Sequence, residues 1–226
     1  MVKNKDKKQS DGLKDVEEAL TKTEQFLENH LNIVIYGVAA VIIVVLAILG
    51  FQRFYIGPKN VEAQQQLYVA QDYFSVDSFD LAVNGDGVSL GFLDIIDNYG
   101  STKAGKLSRY YTGISYLHLG EYDLAISYLK KFKTDDMLIA PLAQSGIGDA
   151  YTELGEYNKA ISAYQKALSY NKNEFTTPTV LFKLALAYEA VGNKAKALET
   201  YKGIKADFPN SSDAVNVEKS IARLNQ

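Results

Sequence analysis

The sequence contains no cysteine and only two histidines, His30 and His118. The lack of cysteine excludes disulfides, zinc–thiolate sites, iron–sulfur clusters and a cysteine nucleophile. Two isolated histidines supply neither a histidine-based catalytic triad nor a multi-histidine metal site. We therefore expect no metal, no cofactor and no small-molecule substrate, and we interpret the chain as a non-enzymatic protein.

An excess of basic charge is also missing, and proline is scarce. The formal net charge of −3 at pH 7 provides no basic field for a phosphate backbone, so nucleic acid is not an expected partner. With 16 glycines and 4 prolines in 226 residues, the composition excludes collagen-like and low-complexity disordered classes.

One long apolar run stands out from this ordinary composition. Residues 31–51 read LNIVIYGVAAVIIVVLAILGF, 21 residues without a charge. As a helix this run spans about 31 Å, close to the hydrocarbon thickness of a bilayer. The run is longer than the apolar core of a signal peptide, which has roughly 7 to 15 residues, and a polar segment precedes the run. We predict an uncleaved transmembrane helix at residues 31–51; a buried core helix is the alternative.

Lysines are distributed unevenly around this run. Residues 1–30 carry six of them, whereas Arg53 and Lys59 follow the run. Because positive charge favours the cytoplasmic side, we predict a cytoplasmic tail over residues 1–30 and the larger C-terminal part across the membrane. A short amphipathic helix in the tail is suggested by the helical spacing of Leu13, Val16, Leu20 and Leu27.

Three blocks of the remaining chain resemble one another. The clearest is GIGDAYTELGEYNKAISAYQKAL, from Gly146 to Leu168; the others are GISYLHLGEYDLAISYL and LALAYEAVGNKAKALETY. Their corresponding glycines, Gly120, Gly155 and Gly192, are 35 and 37 residues apart. These blocks resemble the tetratricopeptide repeat, a pair of antiparallel helices that recurs about every 34 residues. The resemblance implies an all-α solenoid with three repeats over residues 106–211, following the transmembrane helix.

The recurring residue types have physical reasons. The three glycines are placed where the first helix of a pair ends, and we expect them in a left-handed backbone conformation. We expect alanines where the two helices of a pair cross closely, namely Ala125, Ala160 and Ala197. We expect tyrosines to fill the space between pairs, namely Tyr116, Tyr151, Tyr164, Tyr188 and Tyr201.

Less regular segments flank the repeats. Residues 59–105 are interpreted as a degenerate first repeat with a loop: a helix over Val61–Ser75, a turn at Asn84–Gly87, and a helix around Phe92–Tyr99. Residues 212–226 are predicted to form a helix that caps the apolar end of the solenoid.

The resemblance to tetratricopeptide repeats implies that the first helix of each pair lines a concave groove. Leu142 and Leu186 either line this groove or pack inside. Lys130, Lys131 and Lys133 are interpreted as solvated surface. An apolar groove with scattered acids suits an extended or helical peptide segment. The candidate groove residues are Tyr110, Ile114, His118, Asp149, Thr152, Glu153, Phe182 and Glu189.

The whole-chain architecture adds a more specific resemblance. The strings DSFDLAVNGDG, GFLDIIDNYG, YYTGISYLHLGEYDLAI and GDAYTELG, after one apolar helix, resemble the bacterial ancillary subunits of the Sec translocon. This resemblance implies a single-pass inner-membrane protein with periplasmic repeats. The implied partners are Sec translocon subunits, periplasmic chaperones and exported client proteins. A repeat scaffold for cell-envelope assembly or cell division is the alternative.

Overall fold

The computed structural model describes residues 30–225. The predicted cytoplasmic tail and its amphipathic helix therefore lie outside the described residues, apart from His30. The chain divides into two units, Met1–Gly57 and Pro58–Gln226. Every regular element in the described part of the chain is helical. This confirms the predicted all-α class.

The described part of the first unit is helical throughout. Helix α1 covers residues 30–51, and a π-helical turn follows at Gln52–Ile56. The Gly57 N–H donates to the Gln52 carbonyl, five residues earlier. The next residue, Pro58, has no N–H, and its ring crowds the carbonyl four residues before it. A widened turn here removes that conflict.

The second unit begins with three helices that share one apolar cluster. These are α2 (Gly57–Ser75), α3 (Phe79–Asn84) and α4 (Phe92–Tyr99). The predicted helices at Val61–Ser75 and Phe92–Tyr99 are thus confirmed, while the short helix α3 was not anticipated. Six residues are too few to show helical periodicity in a sequence. The buried members of the cluster are Ala63, Leu67, Ala70, Ala82, Phe92 and Ile95, together with Ala104 from the start of the following helix.

Antiparallel helix pairs make up most of the second unit. Successive helices contact one another from α4 to α11, so each pair is covered by the next. The helices are α5 (Lys103–His118), α6 (Tyr122–Lys131), α7 (Ile139–Glu153), α8 (Tyr157–Leu168), α9 (Thr177–Ala190), α10 (Lys194–Asp207) and α11 (Ser212–Leu224).

The turn inside each pair depends on glycine. Gly120, Gly155 and Gly192 have φ angles of 79°, 72° and 75°, which confirms the left-handed conformation expected for them. Each follows the first helix of its pair. The second helix of each pair can therefore fold back against the first within a few residues.

Small and aromatic side chains fill the interfaces as expected. Ala125, Ala160 and Ala197 are fully buried where the helices of each pair cross. Of the tyrosines, Tyr164, Tyr188 and Tyr201 are buried, whereas Tyr116 and Tyr151 are only half-buried. At the end of the array, the last helix, α11, adds Ala214 and Val217 to the core of α9 and α10.

Candidate interaction groove

The groove predicted from the first helices of the pairs comprises residues of α5, α7 and α9. The structure places the candidate residues in three different situations: packed among apolar side chains, engaged in polar pairs, or exposed. Only exposed groups are available to a partner.

Three candidates pack among apolar side chains. The Tyr110 ring lies 5.6 Å from the Phe132 ring and is half-buried, and this burial raises the pKa of its hydroxyl. Ile114 packs against the apolar cluster of α6 and α7. Phe182 lies 5.8 Å from the Tyr201 ring. These residues therefore help to hold neighbouring helices together.

Asp149 uses both carboxylate oxygens within the protein. Its Oδ1 accepts a hydrogen bond from the Tyr164 hydroxyl at 2.8 Å, and its Oδ2 lies 2.7 Å from Lys183 Nζ. The hydroxyls of Thr152 and Tyr164 are 3.2 Å apart. Burial, followed by the Asp149 carboxylate, raises the pKa of Tyr164, so its hydroxyl stays protonated at neutral pH.

Glu189 makes the same kind of arrangement one pair later. Its Oε1 accepts from the Tyr201 hydroxyl at 2.8 Å, and its Oε2 lies 2.7 Å from Arg223. Burial and the Glu189 carboxylate raise the pKa of Tyr201. Each acid therefore connects two groups: a tyrosine on the second helix of its own pair, and a cation on the helix that follows that pair.

The remaining candidates are exposed. The His118 ring stacks on Phe79 at 4.3 Å, and Glu153 is within 3.5 Å of the Tyr122 hydroxyl. Leu142 and Leu186, for which packing inside remained open, are 41% and 45% exposed. The exposed side chains at the predicted groove positions are thus two leucines, a carboxylate and an imidazole.

Lys183 and Arg223 were not identified from the sequence, although one signal points to them. Asp149 and Lys183 are 34 residues apart, and so are Glu189 and Arg223. This separation is close to one repeat length, so the acid and the base of each pair lie on alternate helices of the array, α7 with α9 and α9 with α11.

No group of three or more histidine, cysteine, aspartate or glutamate side chains among the described residues is placed to hold a metal ion. The turn predicted at Asn84–Gly87 lies slightly further along the chain, because Asn84 is the last residue of α3: in the loop that follows, Asp86 Oδ1 accepts from the N–H groups of Val88 and Ser89, at 2.9 and 2.6 Å. Its Oδ2 accepts from the Tyr73 hydroxyl at 2.8 Å, so both Asp86 oxygens are used within the protein.

Family profiles match the helix pairs. A profile described as TPR repeat matches residues 148–192, and one described as tetratricopeptide repeat matches residues 107–136 and 179–211. No curated protein matches the chain at a significant level.

Solved structures agree on the fold. The chain is similar to the nearly identical TPR-like repeats of a candidate kinesin light chain from Podosopora anserina, with 15% identity and a TM-score of 0.57. The match covers 72% of this chain and 85% of that one. A single-substitution variant of the same protein matches with the same identity and TM-score and 84% coverage of its chain. At this identity the likeness concerns the fold alone. The matched profiles and the helix pairs show an all-helical array of tetratricopeptide repeats, with a long apolar helix near the N-terminus.

Proposed function

We propose that this protein is a membrane-anchored interaction module, accessory to the bacterial Sec translocon, that helps pass exported proteins to periplasmic chaperones. The observation that carries the membrane part is the exposure of α1. Its most apolar 18-residue window has a mean hydropathy of 3.0, and none of that window is buried. An exposed apolar surface of this size needs a lipid or protein cover.

The alternative of a soluble core helix requires a buried window, and α1 lacks that burial. A signal sequence near the N-terminus would pass the same test of length and composition. The length of the run and the polar segment before it favour an anchor. The six lysines before α1 favour a cytoplasmic N-terminus and periplasmic repeats.

The binding part of the proposal rests on the repeats. Arrays of this family are protein-interaction scaffolds and are typically non-catalytic. The exposed groove positions Leu142, Glu153 and Leu186 offer apolar contacts beside a carboxylate. Such a surface suits a short peptide segment of a client or channel protein.

Photocrosslinking in intact cells tests the function. A photoreactive residue replaces Glu153 or Leu186, both exposed on first helices of their pairs; a matched control replaces Lys202, exposed on the second helix α10. We expect the groove positions, and not the control, to capture channel subunits or exported proteins. Recovery of neither would contradict the proposal. Selective capture of division or envelope-assembly proteins would favour the scaffold alternative.

Protease treatment of inverted inner-membrane vesicles tests the orientation. We expect the repeats to be protected until the vesicles are opened with detergent. Digestion of the repeats in closed vesicles would place them in the cytoplasm and contradict the periplasmic role.

A further inference from the structure

The second unit contains a cavity whose lining differs from the predicted groove positions. A cavity of ≈ 310 Å³ opens between α6, α7, α8 and the segment that joins α6 to α7. This volume is at the lower end of the roughly 300 to 1,000 Å³ found for ligand pockets. None of the candidate groove residues lines it.

The rim of this cavity is basic. Lys130, Lys133 and Lys166 line it together with one acid, Asp135. Lys130 Nζ donates to the Tyr151 hydroxyl at 2.9 Å. The ammonium groups of Lys133 and Lys166 pair with no carboxylate among the described residues, and both side chains are exposed.

Nearby acids are used elsewhere. Asp136 accepts hydrogen bonds from the Leu138 and Ile139 N–H groups at the start of α7, both at 2.9 Å. Glu156 pairs with Lys159 at 2.7 Å. In a protein with a net charge of −3, this rim therefore keeps a local positive excess.

The floor of the cavity is apolar. Leu129, Ala143 and Ile147 line it and are 2%, 5% and 4% exposed. A free phosphate or another small anion would satisfy the lysines but leave this floor uncovered. A flat layer of anionic headgroups would likewise bring no apolar group into a recess. An apolar side chain with carboxylates on either side matches both parts of the cavity.

We propose that this cavity binds an acidic segment of a protein partner, with one apolar side chain on the floor and flanking carboxylates at Lys133 and Lys166. The cavity lining includes none of the candidate groove residues, although the Tyr110 ring contacts Phe132, which lines the cavity. Such binding also assigns a role to Lys133, which from sequence alone is interpreted as solvated surface together with Lys130 and Lys131.

Fluorescence anisotropy with the full chain in detergent micelles tests this site. The probe is a short labelled peptide with one leucine flanked by glutamates. Two matched peptides replace the glutamates with glutamine or the leucine with serine. We expect the acidic leucine peptide to bind, both matched peptides to bind more weakly, and added salt to reduce the affinity.

Variants locate the binding. Lys133→Glu with Lys166→Glu should weaken binding by on the order of tenfold, because two attractions become repulsions. The matched control, Lys202→Glu with Lys219→Glu, makes the same change in net charge on exposed positions outside the cavity. It should leave the affinity unchanged.

Three results would overturn the proposal. These are no binding of the acidic peptide, equal loss of binding in both double variants, and binding that does not need the leucine. Binding of anionic-lipid vesicles through Lys133 and Lys166, without binding of the peptide, would instead assign the lysines to a membrane surface. Circular dichroism of each variant verifies that its helices are intact.

Discussion

Asp149 on α7 and Lys183 on α9 form an ion pair of 2.7 Å that joins the second helix pair to the third. The same carboxylate accepts from the Tyr164 hydroxyl of α8. Both ionic side chains are partly exposed, at 24% for Asp149 and 35% for Lys183. Side chains at predicted groove positions therefore also connect neighbouring repeats, and stability and binding share residues here.

Asp149→Asn should destabilise the repeats. The amide keeps the shape of the carboxylate but loses the ion pair and the charge on the acceptor of Tyr164. We expect the free energy of unfolding of the full chain in detergent to fall by about 1 to 2 kcal/mol. Asp97→Asn, on an exposed position of α4, is the control and should have almost no effect. Equal effects of the two substitutions would show that Asp149 contributes nothing specific.

Arg223→Gln should loosen the last helix. Arg223 holds α11 to Glu189, whose side chain is only 16% exposed. We expect the amides of α11 to exchange hydrogen on the order of fivefold faster, while those of α7 keep their rates, because repeats stabilise mainly their neighbours. Lys219→Gln changes the same helix at an exposed position and is the matched control. Unchanged exchange in α11 would contradict a role for the ion pair.

Gly148→Ala and Gly203→Ala should have effects of opposite sign. A Cβ at Gly148 would overlap the ring of Tyr164, whereas a Cβ at Gly203 would meet no atom within 4 Å. Overpacking at the first position should lower the free energy of unfolding by about 1 to 3 kcal/mol. Better helix propensity at the second should raise it by about 0.5 to 1 kcal/mol. Denaturant titration measures both, and the same sign for both would be inconsistent with this packing.

The loop after α3 should respond to acid at an unusually low pH. Hydrogen bonds from the Ser89 N–H, the Tyr73 hydroxyl and the Val88 N–H lower the pKa of Asp86 from 3.8 to about 2. Because this folded-state pKa is depressed, the stabilisation is complete above pH 3.8 and is lost as the pH falls through about 2.

Nuclear magnetic resonance measures this titration through the Asp86 carboxyl shift and the exchange rate of the Ser89 amide. We expect a midpoint near 2 for Asp86, and its removal in Asp86→Asn. Asp97→Asn should leave the curve unchanged. A midpoint near 3.8 would show that these hydrogen bonds do not persist in solution.

Sequence patterns located most helices, because each pattern depends on neighbours along one chain segment. Phe92–Tyr99 was predicted with both ends correct, and the capping helix was predicted one turn or less from its observed ends at Ser212 and Leu224. Helix α3 was not predicted, because it is shorter than two turns and shows no helical periodicity in the sequence. The accessibility of the predicted groove positions could not be read from the same patterns. Spacing assigned Tyr110 and Asp149 to the groove face, but it could not reveal how much of each side chain its neighbours occupy.

The sequence alone determined the helix pairs, the left-handed turns at Gly120, Gly155 and Gly192, and the long apolar helix. These features follow from local backbone sterics and from apolar periodicity within single segments. Tertiary structure decided which charges are paired and which are free. Asp149 meets Lys183, whereas Lys133 and Lys166 border an apolar recess, because those distances depend on how successive repeats pack across more than thirty residues of chain.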